Sequence, residues 1–268
     1  MDNVQKLELD HTKDGVRKYW NDGSKFYDNW PGFGGEEEMI LWKKYLLAAI
    51  GPEPQKILDV GTGTGQVAML LYELGHSVTG VDFSPRMMNL AKNKAEAAGA
   101  DIRFFEGDVE NLEFENETFD CVTARHVLWT MAHPEKAVQE WTRVVKPGGK
   151  VVIIDGNWVN KGLLQKLSGG TYRLYWFFKA GKNPFTHTLS YQKDIQDGLP
   201  NLGGLEKEQI VGYLSGAGVT DLSVTDLTAI RVAQNKRMPW YMKRSNEHPT
   251  YLVLGRTPKK DTIKRVHK

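Results

Sequence analysis

Lys56 to Gly75 reads KILDVGTGTGQVAMLLYELG. The first residues, KILDVG, are short, β-favouring and end in glycine. Gly61, Gly63 and Gly65 then stand at alternate positions, and from Gln66 apolar residues recur at helical spacing as far as Gly75, a residue suited to a helix C-terminus. A strand, a glycine turn and a helix follow one another directly. The pattern repeats downstream. HSVTGVDFS reads as a second strand, and SPRMMNLAKNKAEAAG opens a helix with a serine cap and a proline in the first turn. Ile102–Asp108 and Phe119–Val127 read as third and fourth strands. HPEKAVQEWTRVVKPGG reads as a helix ended by Pro147 and two glycines, and KVVIIDGN as a fifth strand. Strands separated by helices imply right-handed crossovers and a parallel sheet covered on both faces. The fold class is therefore α/β, a doubly wound and mostly parallel sheet.

The alternation breaks beyond Asn157. Residues 161–200, centred on TYRLYWFFKAGKNPF, are aromatic and basic without a strand-like period and read as an insertion above the substrate side of the sheet. LEKEQIVGYLSGAG then reads as a helix, and TDLSVTDL and YLVLGRT as two last strands, which brings the sheet to seven. We expect one domain over residues 1–258, with an N-terminal lid over 1–50 and a basic tail at 259–268. A chain of 268 residues with 40% hydrophobic content can bury such a core as a single unit.

Lys and Arg number 35 against 33 Asp and Glu. A net charge of +2 is too small to predict a nucleic-acid or anionic-membrane partner. The single cysteine, Cys121, allows no internal disulfide and fits a reducing compartment. No apolar run approaches the roughly 18 residues that span a bilayer, and MDNVQKLELD lacks the features of a signal peptide. A cytoplasmic protein without membrane partners is the expectation. Monomer and homodimer both stay open.

Ligands of open α/β sheets bind beyond the carboxyl ends of the strands, where strand order reverses, so the first glycine turn faces the ligand. A dinucleotide fingerprint would need its third glycine at position 66, which is Gln66. Asp59, two residues before Gly61, would repel a pyrophosphate and attract an ammonium group. The stretch DVGTGTG resembles the D/E-x-G-x-G-x-G signature of class I S-adenosylmethionine-dependent methyltransferases. The resemblance covers Lys56 to Asn157 closely and includes KPGGKVVI before the fifth strand.

What the resemblance implies is a cofactor, S-adenosylmethionine, held at matching positions. Asp59 would reach its amino group, while Gly61, Thr62, Gly63 and Gly65 would line its methionine part. Asp82, ending the second strand beside Phe83, would accept both ribose hydroxyls. Met87 would pack on the adenine face, with ordinary core packing as the alternative. Asp108 would accept from the adenine amino group, or serve only its turn, and the Val109 N–H would donate to the ring. Arg125 joins this set at the end of the fourth strand. WNDGSKFYD resembles part of a W-D-x-x-A-x-x-Y-D lid sequence of similar small-molecule enzymes, and Tyr27 would be its contact. Gly23 and the PGFGG that follows suggest a mobile lid.

Methyl transfer by in-line displacement needs mainly proximity and orientation. His126 is the candidate base, with a hydrogen bond to the lid as the alternative, and Asp155 is a candidate orienting group. Trp30, Trp129, Tyr172 and Trp176 are candidates for enclosing a small-molecule substrate. One cysteine cannot build a zinc site, and no metal is expected. TARHVLW stands where nucleic-acid amino-methyltransferases carry D/N/S-P-P-Y/F/W, which disfavours that substrate. A nicotinamide-dependent oxidoreductase of the same fold and a non-catalytic cofactor-binding protein remain as rivals.

Overall fold

The computed structural model describes residues 3–28, 34–157, 193–240 and 242–259. Seven strands form one sheet in the order β3-β2-β1-β4-β5-β7-β6. They are β1 (Lys56–Val60), β2 (Ser77–Asp82), β3 (Arg103–Glu106), β4 (Phe119–Arg125), β5 (Val145–Gly156), β6 (Thr220–Asp226) and β7 (Thr250–Arg256). The first five run parallel, and β7 lies antiparallel to both β5 and β6. The chain steps outward from β1 to β3 and returns to β4 on the other side of β1. Strand order therefore reverses between β1 and β4, which puts a crevice at their carboxyl ends.

Eight helices among the described residues carry the connections. They are α1 (Asn3–Tyr27), α2 (Glu36–Ile50), α3 (Gln66–Glu73), α4 (Pro85–Ala97), α5 (Pro134–Arg143), α6 (Lys193–Asp197), α7 (Lys207–Gly216) and α8 (Thr228–Arg237). The α4 start is as expected: the Ser84 side chain accepts from the Met87 N–H, with Pro85 in the first turn. A central strand buried on both faces must send alternate residues into two cores. Val122 and Ala124 of β4 join one cluster with Phe119, Leu128 and Trp141. Cys121 joins the other, with Ile57, Leu71, Trp42 and Leu46.

Three features of the sequence reading are corrected, and helix α8 is additional to it. Helix α5 ends at Arg143 rather than running to Pro147, because Val145 already pairs with Phe119 and the KPGG stretch lies inside β5 at an irregularity in the β4–β5 register. The third strand is confined to Arg103–Glu106. Gly23 lies inside α1, a continuous 25-residue helix, not at a hinge. Close approach explains another glycine of this helix. A Cβ at Gly15 would strike Ile195, and one at Gly198 would strike Thr12, so the two helical segments meet through glycine on both sides. Of the expected insertion, 193–200 is described and contains α6. Trp30, Tyr172 and Trp176 lie outside the described residues.

Candidate active site

The turn after β1 uses its glycines for different ends. A side chain at Gly61 would strike Val127, and one at Gly65 would press on Ala91 and Phe104. Gly63, at φ +56, has nothing within 4 Å of where a Cβ would stand. Its left-handed backbone faces open space, and its N–H donates to Asp82 Oδ2 at 2.9 Å. The Ser84 N–H donates to Asp82 Oδ1 at 2.9 Å, so both carboxylate oxygens are oriented by backbone.

Asp59 and Asp82 sit at the tips of adjacent parallel strands. Burial pushes the Asp82 carboxyl up to about 6, and the neighbouring Asp59 charge adds to the shift against the backbone N–H groups of Ser84, Gly63 and Phe83. Burial likewise raises Asp59 to about 6, opposed first by the nearby Thr62 hydroxyl, which stands close without a well-formed hydrogen bond, then by the Thr123 hydroxyl, which donates to Oδ1 at 2.7 Å, and by the Arg125 charge. Asp59 Oδ2 and the Thr62 hydroxyl are buried without a hydrogen-bond partner among the described residues. Two raised, mutually repelling carboxylates with a spare acceptor atom favour a positively charged, hydrogen-bonding ligand and disfavour a diphosphate. The ammonium of S-adenosylmethionine, a donor, fits that set of acceptors; the pyrophosphate of a nicotinamide cofactor does not.

Further along the edge, Asp108 and Val109 lie under α1. Thr12, Lys13 and Val16 above and Phe83, Asp108 and Val109 below line a partly open cleft whose cavity volume is about 20 Å³. Met87 is 2% exposed yet belongs to none of the apolar clusters, whereas Met88 beside it packs into the core. Lys13 Nζ donates to Asp108 Oδ2 at 2.6 Å and lies 2.8 Å from Glu110 Oε2. Lys13 went unnoticed in the sequence, because a lone lysine on a mostly polar helix carries no periodic signal.

Across the reversal point, Arg125 Nη2 donates to Gln66 Oε1 at 2.6 Å and its guanidinium lies 5.4 Å from the centre of the Trp42 ring. His126 follows with φ +56, its N–H pairing with the Ile154 carbonyl. Its Nδ1 is 3.3 Å from Asp155 Oδ1. Burial raises the Asp155 carboxyl to about 8, against the Gly156 N–H and the Arg231 charge. Burial, then the Arg231 and Arg125 charges, hold His126 well below the usual imidazole range. Near neutral pH the pair is thus an uncharged acid beside an uncharged imidazole.

Trp129 Nε1 donates to the His126 carbonyl at 2.9 Å. Its ring meets Trp20 edge-on at 5.8 Å, and Trp20 meets Tyr27 edge-on at 5.8 Å. The structure therefore brings Tyr27 and Trp129 to one aromatic wall through Trp20. In the sequence Trp20 was indistinguishable from the other aromatics around it.

The model of the family described as "Methyltransferase domain" matches residues 58–153. A demethylmenaquinone methyltransferase of Thermus thermophilus is 40% identical over 139 residues, covering 51% of this chain and 61% of that protein. A ubiquinone/menaquinone biosynthesis C-methyltransferase of Vibrio cholerae is 30% identical over 205 residues, covering 73% and 76%. The match thus spans about three fifths of the Thermus relative and about three quarters of the Vibrio one. Among solved structures, a SAM-dependent methyltransferase from Aquifex aeolicus superposes with a TM-score of 0.56 at 16% identity, over 88% of this chain and 97% of that one. Phosphoethanolamine N-methyltransferase 2 of Haemonchus contortus, in complex with S-adenosyl-L-methionine, gives 0.60 at 20% identity, over 89% and 57%. These two likenesses show a shared fold.

Proposed function

The chain belongs to the class I S-adenosylmethionine-dependent methyltransferases, and from that premise we propose that it methylates a small aromatic acceptor. The carrying observation is the pair Asp59 and Asp82 around the open Gly63 turn, a cationic-ligand site at the strand-order reversal. Asp59 Oδ2 and Thr62 would take the cofactor's ammonium, and Gly61, Gly63 and Gly65 would let its methionine part lie close to backbone. Asp82, beside Phe83, would accept the ribose hydroxyls. Met87 would meet the adenine face, Asp108 its amino group and Val109 its ring. Arg125 would take the carboxylate. When bound, S-adenosylmethionine supplies an already activated sulfonium methyl group.

The chain's own residues then have three tasks. Helix α1 covers the adenine side and excludes water from it. Tyr27, Trp20 and Trp129 offer an aromatic wall, along which a flat acceptor would be aligned for in-line attack. His126 and Asp155 would orient the acceptor by hydrogen bonds as an uncharged pair, since the Arg125 and Arg231 charges oppose an imidazolium. The names of the menaquinone and ubiquinone methyltransferase relatives support an aromatic acceptor. No helix among the described residues is long and apolar enough to cross a membrane.

The test is transfer of label from methyl-labelled S-adenosylmethionine to a panel of aromatic hydroquinones and phenols. Labelled product together with S-adenosylhomocysteine is the expected result. Binding of the donor without transfer to any aromatic acceptor would contradict the aromatic assignment.

A further inference from the structure

Arg231 is 9% exposed and sits on α8, where it reaches the carboxyl end of the sheet beside β5 and β7. Its Nε donates to the Thr250 hydroxyl at 2.9 Å, and its Nη1 donates to Gln234 Oε1 at 3.2 Å and Asn246 Oδ1 at 3.0 Å. All three partners are neutral. No carboxylate lies within ion-pair distance, and no acceptor meets Nη2, among the described residues. A buried guanidinium ordinarily has an anion to itself, because an unpaired buried charge is costly.

The charged and titratable groups that face Arg231 are Arg125, Glu38, Asp155 and His126. Glu38 is one side chain removed: its Oε1 accepts from Gln234 Nε2 at 2.7 Å and from Trp42 Nε1, and its Oε2 accepts from the Gly34 N–H at 2.8 Å. It therefore balances one of the two arginine charges at most. Asp155 keeps its proton near neutral pH, and the imidazole is uncharged. Arg125 also faces Asp59 and, in the proposed complex, the cofactor's carboxylate, so Arg231 is left with Glu38, one side chain removed, as its nearest anion; it lies next to the His126–Asp155 pair at the acceptor side. Asp155 Oδ2 is buried there without a partner among the described residues.

We propose that Arg231 is an oxyanion subsite, with Asp155 as a second donor, which binds the acceptor through an ionisable oxygen held as its anion. This rests on the methyltransferase reading and narrows it to acceptors that carry an acidic hydroxyl, of the phenol or enol class. Such an acceptor becomes nucleophilic by ionising in the positive field, so the poorly basic His126 need not become charged. The hydroxyl proton passes to solvent on binding, and the bound anion would then bond to the methyl carbon through its oxygen or its conjugated carbon as the methyl–sulfur bond breaks, its electron pair staying on sulfur in the leaving thioether, S-adenosylhomocysteine. The charges of anion and sulfonium cancel in this step, and on the carbon route the ring C–H proton would afterwards leave to solvent.

The probe is para-nitrophenol, whose anion is coloured, titrated into the wild-type protein saturated with S-adenosylhomocysteine. The bound probe is expected to ionise about one pH unit lower than free, an anion preference of about tenfold. Arg231→Gln should reduce that preference to within about twofold, and Arg231→Lys should restore part of it. S-adenosylhomocysteine binding and thermal melting of each variant report whether it is folded. The wild-type measurement needs no variant, so a destabilised Arg231→Gln does not block the test. Failure of the wild type to bind S-adenosylhomocysteine would defeat the methyltransferase reading itself. Retained binding with a probe that stays outside, or that binds equally as phenol and anion, would overturn only the oxyanion subsite. An undiminished anion preference in folded Arg231→Gln would overturn it as well.

Discussion

Asp155→Asn stabilises the protein, and increasingly so as pH rises. The buried carboxyl ionises only at about 8 in the fold, against an ordinary value of 3.8. A carboxyl raised by folding contributes stability that is fully present below its unfolded pKa and lost as pH climbs through its folded one, here between about 4 and about 8. Asparagine copies the protonated acid: its oxygen, standing where Asp155 Oδ1 stands, can accept the Gly156 N–H at 2.9 Å and an Nδ1–H of neutral His126, while its NH2 takes the place of Oδ2, which has no partner among the described residues. It does not ionise, so the loss disappears. Taken at about 1.4 kcal/mol per pH unit, the variant's advantage at about pH 8.5 should be on the order of 3–5 kcal/mol, shrinking toward zero near pH 4. Urea unfolding of both proteins across this range measures it. A variant less stable than wild type at every pH would show that Asp155 is an ionised partner of its neighbours, and the uncharged-pair account of the acceptor side would have to be given up.

The second large effect is on binding. Asp82→Ala should weaken S-adenosylhomocysteine affinity by about 1–3 kcal/mol, roughly 5-fold to 150-fold, through loss of charge-assisted hydrogen bonds. The same change costs the ligand-free protein much less. It removes an acceptor from the Gly63 and Ser84 N–H groups, but it also removes a buried carboxylate that repels Asp59. A merely structural carboxylate would give the reverse pattern, with a lowered melting temperature and unchanged affinity in the folded fraction. Calorimetry and thermal melting of one preparation separate the two.

The parallel half of the sheet was legible because its signals are local. KILDVG followed by three glycines, the Ser84–Pro85 start of α4 and the apolar runs of β4 and β5 each have one economical reading, and the observed strand order follows from their alternation. Helix α8 was not legible, since its inward face includes Arg231 and Gln234 beside Ile230 and Ala233, which blurs the apolar period. The same blurring hid Arg231 as a site residue. Arg125, His126 and Asp155 could be named from their strand-end positions. The charge states of His126 and Asp155 could not, because these depend on burial and on an arginine distant in the chain. Trp20 and Lys13 were missed for a related reason: α1 acquires its meaning only where it lies across Trp129, Asp108 and Glu110.

The most direct measurement is a calorimetric titration with S-adenosylhomocysteine, run beside NADH and repeated near pH 8 and near pH 5. Micromolar binding of S-adenosylhomocysteine alone is predicted. Its affinity should fall toward the acid end, because Asp59 and Asp82 take up protons as the pH passes about 6 and can then no longer hold an ammonium and ribose hydroxyls as anions. Preferential binding of NADH, or S-adenosylhomocysteine affinity that rises on acidification, would contradict a site built around those two carboxylates.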